Sequence, residues 1–304
     1  MVLILQANSL HSTAEWKKSI ENFYSDPDFA LHVDVEAEEY FHEFRYGKSP
    51  TLGYEWFAKE FKADAGSISS NSSSKKNLVV FTSALWEVIN YLERDSLSDD
   101  FLDPYKLISR VCSDTEVLEN YNVIVRWHPN LTRAGEIERN LICEVIQETP
   151  LVSHFDPDSD IDSYQLLDKA DIVLTTGSSM GIEASYAGKV SILAGLAFYS
   201  GLGVYEPSDF IELKQLLRID LKPFPKSYAE KFGCFMRNFG SEYKYIRWAP
   251  DERIYLLGDQ GLSFRSQRYK IEHIVSFARN FVRAMFKKTI PNFLNPARFL
   301  RGLR

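Results

Sequence analysis

Between Leu78 and Leu193 the chain alternates short apolar runs with longer amphipathic stretches. The runs are Leu78-Val79-Val80-Phe81-Thr82, Asn122–Arg126, Leu151–His154, Asp171–Thr175 and Val190–Leu193. Each is four or five residues long, rich in Val and Ile, and too short for a helix, so each reads as a buried strand. The stretches between them carry helical periodicity. Helices are expected over 84–94, 103–118, 133–148, 161–169 and 179–187, the last stopped by Gly188. In the 133–148 stretch, Ile137, Leu141, Ile142 and Val145 fall on one face. Apolar strands alternating with helices predict an α/β fold with a Rossmann-like parallel sheet.

The flanks differ. Residues 12–65 show no strand alternation, but Tyr40, Phe41, Phe44 and Tyr46 recur at helical spacing, as do Trp56, Phe57 and Phe61. A serine-rich run, Gly66–Lys76, reads as a flexible connector and marks a boundary. At the other end, Ile271–Arg304 holds seven Lys or Arg against the single acid Glu272. That segment is +6 in a chain of net charge −7, so the remainder is −13. The expected organisation is a helical segment over 1–76, a Rossmann-like domain over 77–270, and a basic amphipathic helix and tail over 271–304. Phe277, Phe281 and Phe286 interleave with Arg279, Arg283, Lys287 and Lys288 in that tail, and Pro291 ends its helix. Up to Met285 the stretch reads as a helix packed back across the sheet domain with a solvated basic face, whereas beyond Lys287 exposed Phe and Leu among Arg suit an anionic membrane surface.

Composition narrows the classes. Hydrophobic residues at 45% supply a sizeable core. The acidic body does not suggest nucleic acid as a partner. Three widely spaced cysteines (Cys112, Cys143 and Cys234) argue against a disulfide framework and against structural zinc. With no apolar run long enough to span a bilayer and no signal-peptide pattern, the expected setting is the cytoplasm, with the tail allowing peripheral contact with the membrane. No Gly-x-Gly-x-x-Gly follows a strand, so no dinucleotide cofactor is expected. His154 and Asp156-Pro157-Asp158 lack a second His or Cys nearby, and no metal is expected.

In a parallel sheet, ligands sit at the carboxyl ends of the strands. Three loops fall there. Thr176-Gly177-Ser178-Ser179 opens a helix carrying Glu183: either its glycine and hydroxyls receive a phosphate, or a serine simply caps the helix. In Arg126-Trp127-His128-Pro129-Asn130, Arg126 and His128 are candidate phosphate donors and Pro129 fixes the turn; a salt-bridged Arg beside a satisfied surface His is the alternative. Glu183 reads either as a grip on a ribose diol or as a helix acid paired with Lys189. Glu87, on the helix after Thr82-Ser83, is the nearest candidate for a catalytic base; its alternative is an acid favoured by a helix N-terminus.

These residues carry a resemblance. Val123–Asn130, Ser163–Ala184 and Ala187–Val190, together with Phe81-Thr82-Ser83-Ala84-Leu85-Trp86-Glu87, resemble the carboxyl-terminal half of bacterial capsule polysaccharide biosynthesis glycosyltransferases. That family has the GT-B architecture, two Rossmann-like domains facing across a cleft. Its His-Pro and Ser-Ser elements are similar to those with which sialyltransferases and Kdo transferases bind the donor phosphate. The likeness covers roughly residues 77–205. It implies a glycosyltransferase, or its donor-binding half, acting in surface polysaccharide synthesis. The donor would be a CMP- or UDP-linked sugar and the acceptor a glycan or a lipid-linked glycan. Arg126, His128, Pro129, Thr176, Gly177, Ser178, Ser179 and Glu183 would form the nucleotide site, without a cofactor. Two departures stand out: the first 76 residues read as the remnant of a preceding domain, not a whole Rossmann domain, and Ala84 replaces a serine. The alternatives are a nucleotide-sugar epimerase using Asp156 or Asp158, a polyol-phosphate transferase, or a truncated nucleotide-binding subunit.

Overall fold

The structure is a computed structural model that describes residues 12–24, 33–46, 75–88, 90–238, 246–249, 254–257 and 260–262. Residues 1–241 form one compact unit and residues 242–304 a second. The first unit holds α1 (Thr13–Phe23), α2 (Val33–Tyr46), β1 (Lys76–Phe81), α3 (Leu85–Val88), α4 (Asp99–Leu102), α5 (Pro104–Ser113), α6 (Thr115–Asn120) and β2 (Tyr121–Arg126). It continues through α7 (Glu136–Glu148), β3 (Ser153–Phe155), α8 (Ser163–Lys169), β4 (Ile172–Thr175), α9 (Met180–Tyr186), β5 (Val190–Leu193), α10 (Phe210–Arg218) and α11 (Ser227–Asn238). In the second unit β6 (Ile246–Ala249), β7 (Ile254–Leu257) and β8 (Gln260–Leu262) pair antiparallel in that order. The helix and tail expected over 271–304 lie outside the described residues, as do Trp56, Phe57 and Phe61. Among the described residues no helix is long and apolar enough to cross a membrane.

The five strands of the first unit make one parallel sheet of order β3-β2-β1-β4-β5. This is the Rossmann-like α/β arrangement the apolar pattern predicted. The central strands are buried on both faces, which explains why they read as unbroken apolar runs. Leu78, Val80, Val125 and Leu174 point to a layer containing Leu107 and Ile108 of α5, Val145 of α7 and Leu213 of α10. Val79, Phe81, Ile124 and Val173 face Leu166 and Leu167 of α8 and Ala184 of α9.

Helix boundaries moved where side chains offered caps. The helix expected over 103–118 is two helices, because Asp103 accepts from the Tyr105 and Lys106 amides and Asp114 accepts from the Val117 amide at 3.1 Å. The 84–94 stretch is only α3 followed by a 3-10 turn, Leu92–Ser96. A second 3-10 turn, Pro129–Arg133, precedes α7. Leu151 is 83% exposed and stands outside β3. Gly188 has φ of 70°, and the Lys189 amide reaches back to the Ala184 carbonyl at 2.9 Å, so glycine ends α9 as expected.

The sequence drew a boundary at residue 76, yet by packing α1 and α2 belong to the first unit. Trp16, Ile20 and Phe41 share a core with Phe232 and Phe235 of α11 and with Tyr199. The Phe41 ring stacks on Tyr186 at 4.0 Å, and a Cβ at Gly233 would lie 2.8 Å from the Phe41 ring. Arg237 of α11 holds Glu36, Glu39 and Glu43 of α2 at 2.8, 2.5 and 2.9 Å. The α2 helix is therefore seated on α11 and α9 in one register. Phe41→Ala should destabilise the chain by ~3–5 kcal/mol in urea unfolding, the cost of emptying a buried aromatic site.

Candidate functional site at the carboxyl edge of the sheet

Register decides what meets at the edge. Phe81 of β1 is level with Arg126 of β2 and with Thr175 of β4. The loops leaving these three strands therefore start at one height. The strand order reverses between β1 and β4, so their loops border the crevice where open α/β sheets take ligands.

Two threonines tie the loops together. Thr82 Oγ1 accepts from the His128 amide at 2.9 Å, and Thr176 Oγ1 accepts from the Ser83 amide at 3.3 Å. Ser83 Oγ itself is buried with no hydrogen-bond partner. In the loop after β4, Gly177 has φ of 140°, a conformation open to glycine. The Ser178 carbonyl accepts from the Gly181 amide at 3.0 Å and from the Tyr199 hydroxyl at 2.6 Å. Ser178 Oγ accepts from the Met180 amide. The amides of Gly177, Ser178 and Ser179 donate to no group among the described residues. Neither serine reading is exclusive: Ser178 caps locally, while three consecutive amides and the Ser179 hydroxyl stand at the loop.

His128 is half-buried at the start of the 3-10 turn. Its Nδ1 accepts from the Asn130 amide at 3.1 Å, which assigns the proton of the neutral ring to Nε2. Burial pushes the imidazole pKa down, the Arg126 charge adds to that, and Glu87 opposes it. Pro129 follows as the first residue of the turn. Glu87 accepts from the Ala84 amide at 3.1 Å and from Asn130 Nδ2 at 2.8 Å, so it joins the loops after β1 and β2.

Arg126 is placed differently from its expected role. Its side chain is 2% exposed, and its terminal nitrogens donate to the Asp156 and Ser159 carbonyls. It braces the loop after β3 and is not turned toward the serine loop by any bond in the structure. Burial lowers its pKa to about 10 against the pull of Asp158 and Asp156.

Glu183 is buried one turn into α9. Tyr164 Oη donates to one carboxylate oxygen and Ser179 Oγ to the other at 2.9 Å. Lys189 is not its partner; that ammonium donates to the Asp168 and Ala170 carbonyls at 2.8 and 2.9 Å. Burial raises the Glu183 pKa, and the bonds from Tyr164 and Ser179 and the Arg45 charge pull it back. The structure thus brings together Thr176, Gly177, Ser178, Ser179 and Glu183, and beside them His128, Pro129 and Glu87, with Arg126 behind. Sequence reasoning missed Tyr164 and Tyr199. They lie 19 and 21 residues from the groups they bind, and no local periodicity signals that pairing.

Residues 114–215 match the family model described as capsule polysaccharide biosynthesis protein. The matched span runs from α6 into α10 and contains the loops after β2 and β4. The family read from the His-Pro and Ser-Ser motifs is the family whose model matches. No curated protein matches the chain. Among solved structures, the chain is similar to Thermosulfurimonas dismutans KpsC, beta Kdo 2,4 transferase, at 14% identity and TM-score 0.39, over 66% of this chain and 55% of that one. It is also similar to Thermosulfurimonas dismutans KpsC, beta Kdo 2,7 transferase, at 16% identity and TM-score 0.39, over 71% of this chain and 56% of that one. The chain spans just over half the length of these structures.

Two outcomes follow from the packing of Glu183 and Gly181. Below its ordinary value of 4.5, Glu183 is protonated folded or unfolded. Above that value the folded chain keeps a proton that the unfolded chain has lost, so stability falls as pH rises through the raised folded value. Glu183→Gln should remove that part of the slope in urea midpoints measured from pH 4.5 upward; an unchanged slope would contradict the raised value. A Cβ on Gly181 would lie 2.3 Å from the Tyr199 hydroxyl oxygen. Gly181→Ala should cost ~1–3 kcal/mol through overpacking, and adding Tyr199→Phe should return part of it.

Proposed function

We propose that this chain is the donor-binding half of a glycosyltransferase of capsule polysaccharide synthesis, and that it takes a nucleotide-activated sugar in the crevice between the loops after β1 and β4. The observation that carries this reading is the cross-tied set of loops at the reversal point of the strand order, two of which lie inside the family match. The amides of Gly177, Ser178 and Ser179 would receive phosphate oxygens, because successive backbone N–H groups in a glycine turn form an anion-binding concavity. His128 would add Nε2–H as a neutral donor. Its depressed pKa keeps it uncharged near neutral pH, so it would contribute direction more than charge.

Catalysis on this reading is stabilisation of the departing phosphate by donors already in place, without a covalent intermediate. Arg126 would support the positive field from behind the loops while its bonds hold the 156–159 segment. Glu183 would take ribose hydroxyls, with Tyr164 and Ser179 fixing its carboxylate plane. Glu87, which accepts from two loops, would organise the His128–Asn130 turn; it is the carboxylate we propose to test as a base. The acceptor, a glycan or lipid-linked glycan, would approach from the open side of the crevice. The basic segment 271–304 would hold the enzyme at an anionic membrane surface.

Calorimetry with CMP and UDP tests the donor site. Wild type should bind at least one of them. His128→Ala should bind it ~1–3 kcal/mol more weakly, the cost of losing a hydrogen bond to a charged group. Equal affinity in the two proteins would remove His128 from the site, and no binding by wild type would overturn the nucleotide reading.

A further inference from the structure

The Tyr164–Glu183 pair is held from outside the sheet domain. Arg45 lies near the carboxyl end of α2, where a cation is favoured by the helix dipole. Its guanidinium sits 5.4 Å from the centre of the Tyr164 ring, and its Nη2 is 2.5 Å from Asp168 Oδ2, one turn further along α8. Tyr164 is itself oriented at the start of α8, where its amide donates to Asp162 Oδ1 at 2.9 Å. From there its hydroxyl reaches Glu183 on α9, and Glu183 takes Ser179 on its other oxygen. A continuous path of contacts thus runs from α2 through α8 and α9 to the serine loop. The α2 end of the path has little freedom, because Phe41 stacked on Tyr186 and Arg237 held by three glutamates fix its register.

We propose that Arg45 is a positioning residue of the candidate site: by clasping Tyr164 and Asp168 it sets the Tyr164 hydroxyl on Glu183, so that the amino-terminal helical segment completes a ligand grip built on the sheet. The inference rests on the reading of Glu183 as a nucleotide contact. A cation held over an aromatic face and paired with a carboxylate on the same helix is fixed from two sides, unlike a lone surface ion pair. Its charge also acts on a buried carboxylate, where few other groups compete. The titratable groups acting on the pair are Arg45 and Tyr40 from α2, with Tyr164 and Glu183 acting on each other. Arg45 is the only cation among these groups.

The test uses the full chain carrying Arg45→Gln, Arg45→Lys and Glu183→Gln, and the two combinations of the Arg45 changes with Glu183→Gln. Urea stability is followed against pH. With the Arg45 charge gone, the Glu183 pKa should rise further, so the fall in stability with rising pH should extend to higher pH. Arg45→Lys should restore most of the wild-type profile. In the Glu183→Gln background, the Arg45 change should leave no such extension. An Arg45→Gln effect that is the same with and without Glu183→Gln would reduce Arg45 to a surface ion pair and overturn the proposal. In the second arm, CMP and UDP affinity should drop roughly 3- to 10-fold in Arg45→Gln, an ordinary coupling between neighbouring groups. Unchanged affinity in a wild type that does bind would overturn the link to the ligand. If wild type binds neither nucleotide, the nucleotide reading fails, and the stability arm decides separately whether Arg45 acts on Glu183.

Discussion

The level register of β1 between β2 and β4 is the constraint on which the rest of the site depends. Parallel pairing of Phe81 with both Arg126 and Thr175 starts three loops at one height. Thr82 and Thr176 then tie the loops at that common height by accepting hydrogen bonds from the His128 and Ser83 amides. A slip of β1 by one residue would turn Leu78 and Val80 to the opposite layer and part both ties. The same register that buries the sheet on two sides therefore assembles the polar edge.

Around that edge, polar groups are used sparingly and most serve structure. Arg126, which a motif would send to a phosphate, is spent on two carbonyls of the loop after β3. His128 caps its own turn through Nδ1 and keeps its proton on Nε2. Tyr199, fully buried, holds the Ser178 carbonyl and lies 3.0 Å from Thr175 Oγ1, which shapes the glycine turn from beneath. Those engagements leave the Gly177, Ser178 and Ser179 amides without partners among the described residues, and a row of orphaned donors is what an anionic ligand would complete.

The amino-terminal helices change how the unit should be divided. They supply Trp16, Ile20 and Phe41 to a core that otherwise would leave Phe232 and Phe235 facing water. Glu93, in the 3-10 turn after β1 and α3, accepts from Ser12 and from the Thr13 and Ala14 amides, so the start of α1 is capped from the sheet domain. What fixes α2 also fixes Arg45 against Tyr164 and Asp168.

The sequence by itself determined the alternation of strands and helices, the parallel sheet, and the two loops that carry Arg126–Asn130 and Thr176–Ser179. Those features are local. A run of Val and Ile, a glycine after a helix or a His-Pro after a strand acts through neighbours within a few residues. Capping shifted boundaries that periodicity alone set, as at Asp114, since a carboxylate accepting backbone amides outweighs a continuous apolar stripe. Only the tertiary structure decided where the buried polar groups would find partners. Tyr164 meets Glu183, Tyr199 meets Ser178 and Arg45 meets Asp168 across gaps of 19, 21 and 123 residues. Such pairings are set by which helices the sheet stacks side by side, and a hydrogen bond carries no trace of its distant partner in the local pattern of either residue.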